Sequence, residues 1–266
     1  MRLTVDHRTT YRFSAPQARL VQMLRLTPRS THDQAVAAWR IDVDCDARSR
    51  TGRDGFGNVT TMLYADGPIN GIEIAVSGEV LTSNAHGVLH GAPEPLPPPL
   101  FLRATPLTQA DAGIETWARE TAGEAPLLEQ LHRLNAELPE RFAVARNRPK
   151  PGLTAAEAFA REALTPRDLA HLFIAAARAI GAPARYVSGY ALDADEHRPG
   201  PHGWAEAWVE RIGWIGFDPS IGLSPEERHV RVAVALDAAG AAPVAGSRLG
   251  EGEEALDVDV VVHREG

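Results

Sequence analysis

The sequence predicts an α+β protein in which an antiparallel β domain precedes a domain of helices and strands. Three observations support this prediction. Residues 1–90 contain short runs of alternating apolar and polar residues, the pattern of half-buried strands. A proline-rich stretch at residues 91–107 follows and is interpreted as a semi-rigid linker between domains. In residues 108–266 apolar residues first recur at helical spacing, and the alternation returns from Gly181 onward.

Composition and charge exclude several classes of protein. The chain has 266 residues, of which 44% are hydrophobic and 23% charged, so a packed core and a polar surface are both available. Lys and Arg number 27 against 35 Asp and Glu, a net charge of −8, and we expect no nucleic-acid partner because phosphate binding needs a basic surplus. No apolar run reaches the roughly 20 residues of a membrane span, and the N-terminus lacks the apolar core of a signal peptide. We therefore expect a cytoplasmic protein with no membrane partner.

In the first domain we predict five strands that form an antiparallel sandwich. They are Arg2–Phe13, Leu20–Leu26, Ala38–Cys45, Val59–Tyr64 and Ile72–Leu81. Turn-forming residues separate the strands, notably at 54–58 and 66–68. The single cysteine, Cys45, shares the apolar face of its strand, where a thiol behaves as a small hydrophobe. One cysteine also excludes an intrachain disulfide and a cysteine-cluster metal site.

The second domain begins with four predicted helices and continues as an antiparallel sheet. The helices are Thr108–Thr121, Leu127–Leu138, Ala155–Ala163 and Asp168–Ile180. The last helix is apolar almost all round, as expected of a helix buried inside a domain. At its start Thr165 fits the N-cap and Pro166 the first helical position. The predicted strands are Ala184–Leu192, His202–Val209, Trp214–Phe217, Val230–Leu236 and Leu256–Val262.

Two neighbouring strands of this sheet bring a histidine and an aspartate close together. The connection between the strands at 202–209 and 214–217 is short enough for a hairpin. His202 and Asp218 have the same parity, so they share a face at its open end, where diagonal neighbours lie about 7–8 Å apart. A carboxylate that orients a histidine is half of a nucleophilic triad. A purely structural His–Asp pair has the same spacing.

Several long motifs give the chain a family resemblance. The segments 168–190 (DLAHLFIAAARAIGAPARYVSGY), 202–209 (HGWAEAWV) and 213–219 (GWIGFDP) resemble the core of bacterial transglutaminase-like proteins. The segments 11–13 (YRF), 24–29 (LRLTPR) and 54–58 (DGFGN) are similar to the β domain that precedes this core. The resemblance implies a papain-like, cysteine protease-like α+β fold with a Cys–His–Asp triad. In that family the thiolate attacks a carboxamide, ammonia leaves, and the acyl group passes to an amine or to water; some relatives are peptidases.

The same resemblance assigns His202 and Asp218 to the triad and places Pro166 where the family has its cysteine. The family's Gly-Val-Cys-Gln-Asp stretch aligns without gaps with residues 164–168. Proline carries no nucleophile, and a triad that lacks its nucleophile keeps little activity. The sequence therefore predicts a catalytically degenerate member, a pseudoenzyme, that binds a peptide or protein partner and needs no cofactor or metal.

The alternative is an active amide acyl transferase or peptidase that uses substitute chemistry with the His202–Asp218 pair. A hydroxyl from Thr165 or Ser188 could replace the thiol, or Cys45 could approach from the β domain. A metal ion could instead supply the chemistry. The candidate metal ligands are His202, Asp218, His171 and Asp168.

A groove beside the triad is also predicted, because clefts that bind acyl groups are lined by apolar and hydroxyl side chains. The candidate lining residues are Thr165, Ser188, Tyr190 and Trp204. For the two aromatic residues, core packing is the alternative interpretation. The segment 197–201 is either a lid over the cleft or a simple connection between strands.

Overall fold

The computed structural model describes residues 1–145, 152–192, 197–198 and 200–265. Its first layer is an antiparallel sheet of seven strands. The first four are β1 (Arg2–Thr27), β2 (Gln34–Val43), β3 (Arg48–Arg53) and β4 (Val59–Thr82). β1 and β4 pair along most of their length at the centre of the sheet, and β2 and β3 both pair with β4. The predicted antiparallel β domain is confirmed.

The strands β1 and β4 are each one long bent strand where the sequence predicted two. Residues 66–68, the predicted turn, lie inside β4, where the pairing with β1 shifts register between Arg12 and Arg19. Residues from both sides of the bend share one hydrophobic cluster. They include Leu20, Leu24 and Leu63 from one side and Tyr11, Ile72 and Ile74 from the other. The β domain that the alternation predicted is therefore one antiparallel sheet whose apolar side chains from both halves form one cluster.

The helices of the second domain surround one central helix. They are α1 (Ala112–Ala122), α2 (Leu127–Arg141), α3 (Ala155–Phe159) and α4 (Pro166–Ala179), and a short parallel pair, β5 (Ala143–Val144) with β6 (Ala163–Leu164), leads into α4. All residues of α4 from Asp168 to Ala177 are buried, as its apolar composition predicted. Among the described residues, no helix is long and apolar enough to cross a membrane.

The second sheet packs against α4 and has four antiparallel strands. The remaining strands of the chain are β7 (Ala184–Ala191), β8 (His197–Arg198), β9 (His202–Val209), β10 (Gly213–Phe217), β11 (His229–Ala235), β12 (Val244–Leu249) and β13 (Glu254–Glu265). The order in the second sheet is β10-β9-β7-β11, with β11 at one edge. β8 instead pairs with β13. Pro199 and residues 193–196 lie outside the described residues, so the possible lid at 197–201 stays a prediction.

The last two strands return to the first sheet. β12 pairs with the second half of β1, and β13 pairs with the first half. The prediction that the strand Leu256–Val262 belongs to the sheet of the second domain is therefore wrong, because this strand pairs with β1 in the first sheet. Alternation predicts that a segment is a strand and which face is apolar, but it does not identify the neighbouring strand.

Among the described strands, β11 has no neighbour on one side, and two amide side chains from the first domain hydrogen-bond to its backbone there. Asn58 Nδ2 donates to the Val234 carbonyl, and Asn58 Oδ1 accepts from the Val234 N–H, both at 2.8 Å. Gln34 makes the same pair of bonds with the backbone of Arg231, at 2.9 and 2.7 Å. These bonds satisfy backbone groups that an edge strand otherwise leaves open. The Asp54 carboxylate accepts the N–H of Asn58 at 3.1 Å and thereby fixes the turn that presents this amide.

Replacing Asn58 by Asp should destabilise the protein by about 3 kcal/mol, since an unsatisfied or charged buried group carries its full desolvation cost. The new carboxylate oxygen would stand where Nδ2 donates to the carbonyl of Val234 and to the Asp54 carboxylate. Unfolding in urea measures the loss. The exposed Asn84→Asp is the control and should change stability by less than about 0.5 kcal/mol. A comparable loss in both variants would contradict the role of Asn58 at the domain interface.

The proline-rich stretch is packed onto the second sheet instead of spanning open space as a linker. Pro98–Leu102 forms a 3₁₀ helix whose Phe101 is buried. The Phe101 ring meets Trp214 edge-on, with centroids 5.0 Å apart, and its carbonyl accepts from Arg178 Nε at 2.9 Å. Phe101 therefore anchors the stretch to the second sheet, while the other residues of 91–107 are exposed or half-buried.

Candidate functional site

Asp218 accepts hydrogen bonds from two histidines and a serine. It directly follows β10 and is 1% exposed. Its Oδ2 lies 2.7 Å from His202 Nε2 and 3.1 Å from His229 Nε2. Its Oδ1 accepts from the backbone N–H of Ser220 at 3.0 Å and from the Ser220 hydroxyl at 2.6 Å. The structure thus brings His202 and Asp218 together at the open end of the β9–β10 hairpin.

These donors keep Asp218 ionised although it is buried. Burial alone raises the pKa of a carboxyl group because it disfavours the charged form. In Asp218 the facing side chains of His202 and His229 outweigh burial, and the pKa of the carboxyl is held well below its usual range. The site is therefore organised around a fixed negative charge.

The hydrogen bonds also determine which ring nitrogens carry protons. The backbone N–H of Glu226 donates to Nδ1 of His229 at 3.1 Å, so the neutral ring carries its proton on Nε2 and donates it to Asp218. His202 likewise turns Nε2 toward the carboxylate. This is how a carboxylate orients the histidine of a nucleophilic triad.

The donor set does not suit a metal ion. In the described part of the chain, His202, Asp218 and His229 form the one group whose ligand atoms lie close enough, within 4.8 Å of one another. A histidine that binds a metal ordinarily donates its other ring N–H to an acceptor. His229 does the opposite, because its Nδ1 already accepts from Glu226 and its Nε2 is protonated. His171 and Asp168, the other ligands considered from the sequence, are outside this group.

The start of α4 is a capped helix end. Pro166 is its first residue, and the Thr165 hydroxyl accepts the N–H of Asp168 at 3.3 Å. The same hydroxyl donates to Oδ2 of Asp168 at 2.6 Å, while Arg167 donates to the other oxygen at 3.2 Å. The hydroxyl of Thr165 is therefore committed to the cap, as the sequence predicted for the cap position.

The other groove candidates occupy different environments. Ser188 lines a cavity of about 360 Å³ beside α4. Tyr190 is buried against the first sheet, where its hydroxyl lies 2.9 Å from Nδ1 of His7. Trp204 is also buried and packs with Phe56 of the first domain. Trp204 also lines a small pocket with Glu206 and His229, and its ring centroid is 5.4 Å from that of His229. A groove role for Tyr190 or Trp204 stays a prediction.

Cys45 does not lie among these residues. It lies two residues after the end of β2 and packs, half-buried, on the hydrophobic cluster of the first sheet. Burial, together with Asp44 and Asp46, raises the pKa of its thiol. The single thiol of the chain is thus both distant from the His202–Asp218 pair in the fold and poorly ionised.

Two residues of the site were not predicted from the sequence. Ser220 follows Asp218 by two positions, and its N–H and hydroxyl turn back onto the carboxylate, a local pattern that an Asp-Pro-Ser sequence could have indicated. His229 starts β11, which is not the neighbour of β10 in the sheet. β10 and β11 are at opposite edges of the sheet, and the segment 218–229 that joins them brings this histidine to Asp218.

Comparisons with known proteins agree with this architecture. Residues 3–81 match the family model described as the bacterial transglutaminase-like N-terminal region, and residues 115–219 match the transglutaminase-like superfamily core. An uncharacterized protein of Mycobacterium tuberculosis is 29% identical over 98% of this chain and 92% of its own length. Another from Mycobacterium leprae is 27% identical over 98% and 97%, respectively.

A solved structure extends the agreement to the whole chain. The protein comes from Cytophaga hutchinsonii and is described as a candidate cysteine protease. It matches with a TM-score of 0.78 at 20% identity, covering 99% of this chain and 90% of its own, and so has the same fold. The two family matches together span more than half of the chain, in the order that the sequence motifs predicted. The chain belongs to the transglutaminase-like superfamily, with the bacterial β domain preceding a papain-like core.

Proposed function

We propose that this chain is a catalytically degenerate transglutaminase-like protein, which binds a peptide or protein partner without transferring or hydrolysing an acyl group. The observation that carries the proposal is Pro166 at the first position of α4, where the family resemblance assigns the nucleophilic cysteine. The neighbouring Thr165 hydroxyl is occupied by Asp168. The oriented base, His202, then has no thiol to deprotonate, and triad members contribute little when the nucleophile is missing.

The alternative, an active enzyme with a substitute nucleophile, finds its best candidate in Ser188. A serine nucleophile needs a base within hydrogen-bond reach. In the pairing of β7 with β9, Ser188 stands opposite Gly203, whereas His202 stands opposite Gly189. Since successive side chains of a strand point to opposite faces, Ser188 and His202 lie on different faces of the sheet. This arrangement supports the degenerate reading over the alternative.

The Pro166→Cys variant, made in a Cys45→Ala background, should acquire a reactive thiol. A helix N-terminus lowers the pKa of a thiol, whereas the pKa of the Cys45 thiol is raised. Near neutral pH we expect iodoacetamide to label the new thiol at least about tenfold faster than Cys45 in the parent chain, because the thiolate is the reacting form. Pro166→Ala in the same background is the matched control. Labelling no faster than that of Cys45 would contradict the assignment of Pro166 to the nucleophile position.

Acyl chemistry is tested with a short glutamine-containing peptide and hydroxylamine. In the Cys variant the thiolate attacks the carboxamide carbon, ammonia leaves, and hydroxylamine takes the acyl group from the thioester and releases the thiolate. The parent chain should bind the peptide, as measured by calorimetry, and release no ammonia. Ammonia release by the parent that His202→Ala abolishes would overturn the proposal in favour of the active enzyme. A failure of the parent to bind would contradict a partner of this acyl-donor type.

A further inference from the structure

A cavity beside the first turns of α4 is separate from the hydrogen bonds around Asp218. Its volume is about 360 Å³, and it lies between α4, β7 and the segment 238–243. Arg167 and His171 line it from the helix, four positions apart and therefore on one helix face. Ser188 lines it from β7, and most of the remaining wall is aliphatic. The cavity thus joins an apolar body to a small set of polar groups, as sites for small molecules do.

His171 contributes a buried N–H without a partner. Its Nε2 accepts from the backbone N–H of Ala238 at 3.0 Å. Burial lowers the pKa of His171 to about 4, against the opposing effect of Asp237 and Asp168, so the ring is neutral near pH 7 and carries its proton on Nδ1. Among the described residues nothing accepts a hydrogen bond from Nδ1. This nitrogen is shielded from the open space of the cavity, so the His171 ring forms part of the wall and does not present a free donor to it.

Arg167 contributes positive charge and further donors. Its Nε and Nη2 both lie 3.2 Å from one oxygen of Asp168. A guanidinium has five N–H donors, so this single oxygen uses only part of its capacity. Gly152 lies against the guanidinium, and a Cβ at that position would come within 3.3 Å of its central carbon. A side chain at position 152 would therefore crowd the guanidinium at the cavity wall.

We infer that this cavity binds a carboxylate group attached to a short aliphatic body. The carboxylate would accept hydrogen bonds from Arg167 and from the hydroxyl of Ser188, and the body would contact Leu107 and Leu153. Because the volume is at the lower end for ligand sites, the occupant is of the size of one amino acid. The C-terminal residue of a peptide and a free short-chain carboxylic acid share this chemistry. The inference rests on the proposed function in that it supplies the chemical class of the bound group.

Three probes with the same aliphatic body test the inference: N-acetyl-leucine, N-acetyl-leucinamide and isovalerate. Binding to the parent chain is measured by calorimetry and by the shift of the His171 imidazole resonances. We expect at least one carboxylate to bind at least about tenfold more tightly than the amide, a difference of one charge-assisted contact. Tighter binding of N-acetyl-leucine than of isovalerate identifies a peptide terminus as the source, and the reverse order identifies a free acid. Equal binding of the carboxylates and the amide, or no binding of any probe, would overturn the inference.

Variants locate the binding in this cavity. Arg167→Gln should weaken carboxylate binding at least about tenfold, and Arg167→Lys should retain part of the affinity because it keeps the charge but loses the planar fork. Arg119→Gln, which removes an exposed arginine of α1 that pairs with Glu115, is the matched control and should bind like the parent. Equal losses of carboxylate affinity in the Arg167 and Arg119 variants would mean that the net charge of the protein, and not a contact in the cavity, determines binding. None of these outcomes changes the thiol reactivity of Pro166→Cys, so the two proposals fail independently.

Discussion

Replacing Glu206 by Gln should cost about 3–5 kcal/mol in the free energy of unfolding, the usual cost of removing one partner from a buried ion pair. Glu206 is 2% exposed at the centre of the second sheet. Its Oε2 accepts from Arg185 Nε at 2.7 Å, and its Oε1 accepts from Arg231 Nε at 2.6 Å. A glutamine would present an amide N–H₂ to one of these guanidinium groups, so a donor would face a donor.

The loss is large because the surrounding charges alternate and the two at the centre, Arg185 and Glu206, are buried. Arg185, which is 1% exposed, also binds both oxygens of Glu94, and its guanidinium carbon lies 3.8 Å from the ring centroid of Trp214. The chain of four charges, Glu94–Arg185–Glu206–Arg231, therefore has no net charge. Neutralising Glu206 leaves an excess positive charge in the interior. The same residues join the proline-rich stretch to β7, β9 and β11, so the loss of Glu206 also weakens the attachment of this stretch to the second sheet.

Urea-induced unfolding near pH 7 measures this effect. The matched control is Glu115→Gln, which breaks an exposed ion pair with Arg119 four residues later on α1. Such surface pairs contribute less than about 1 kcal/mol. If Glu206→Gln lost no more stability than the control, the buried network could not be a principal source of stability for the second sheet.

Local patterns in the sequence predicted the elements that surround the site. The cap at Thr165, the proline at the first position of α4 and the burial of the helix all depend on residues a few positions apart. The approach of His202 to Asp218 follows from one hairpin, whose two strands are joined by three residues. In each case the determining contacts are short in sequence, and so the alternation and the capping residues were sufficient.

Contacts between distant segments could not be predicted in this way. Gln34 and Arg231 are 197 positions apart, and Asn58 and Val234 are 176 apart. The burial of Tyr190 likewise depends on His7 from the first strand of the chain. Because the period of a strand identifies its apolar face but not what covers it, these residues could be interpreted equally as groove or as core. The choice between groove and core depends on where the first domain lies.

The site should also make the stability of the protein depend on pH in the acid range. The pKa of Glu206 is lowered to about 2, because Arg231 and Arg185 outweigh its burial, and the pKa of Asp218 is held well below its usual range. In the unfolded chain both carboxyls titrate near about 4. Below that value the unfolded state binds more protons than the folded state, so stability increases with pH. The contribution is fully present above about pH 5 and is lost as the pH falls toward the folded-state pKa values.

Asp218→Asn should remove part of this dependence and lower stability near pH 7 by about 3 kcal/mol, the cost of unpaired buried donors. The amide N–H₂ of asparagine would oppose the Nε2–H of a histidine, and His229 cannot change tautomer without losing its bond from Glu226. Urea unfolding at several pH values should give curves for parent and variant that converge toward low pH, where the Asp218 carboxyl of the unfolded chain is protonated. The exposed Asp42→Asn, which removes a surface pair with Arg40, is the control and should follow the parent. Parallel curves for Asp218→Asn and the parent would mean that the charge of Asp218 does not stabilise the fold. The positions of His202 and His229 would then have to be fixed by other contacts.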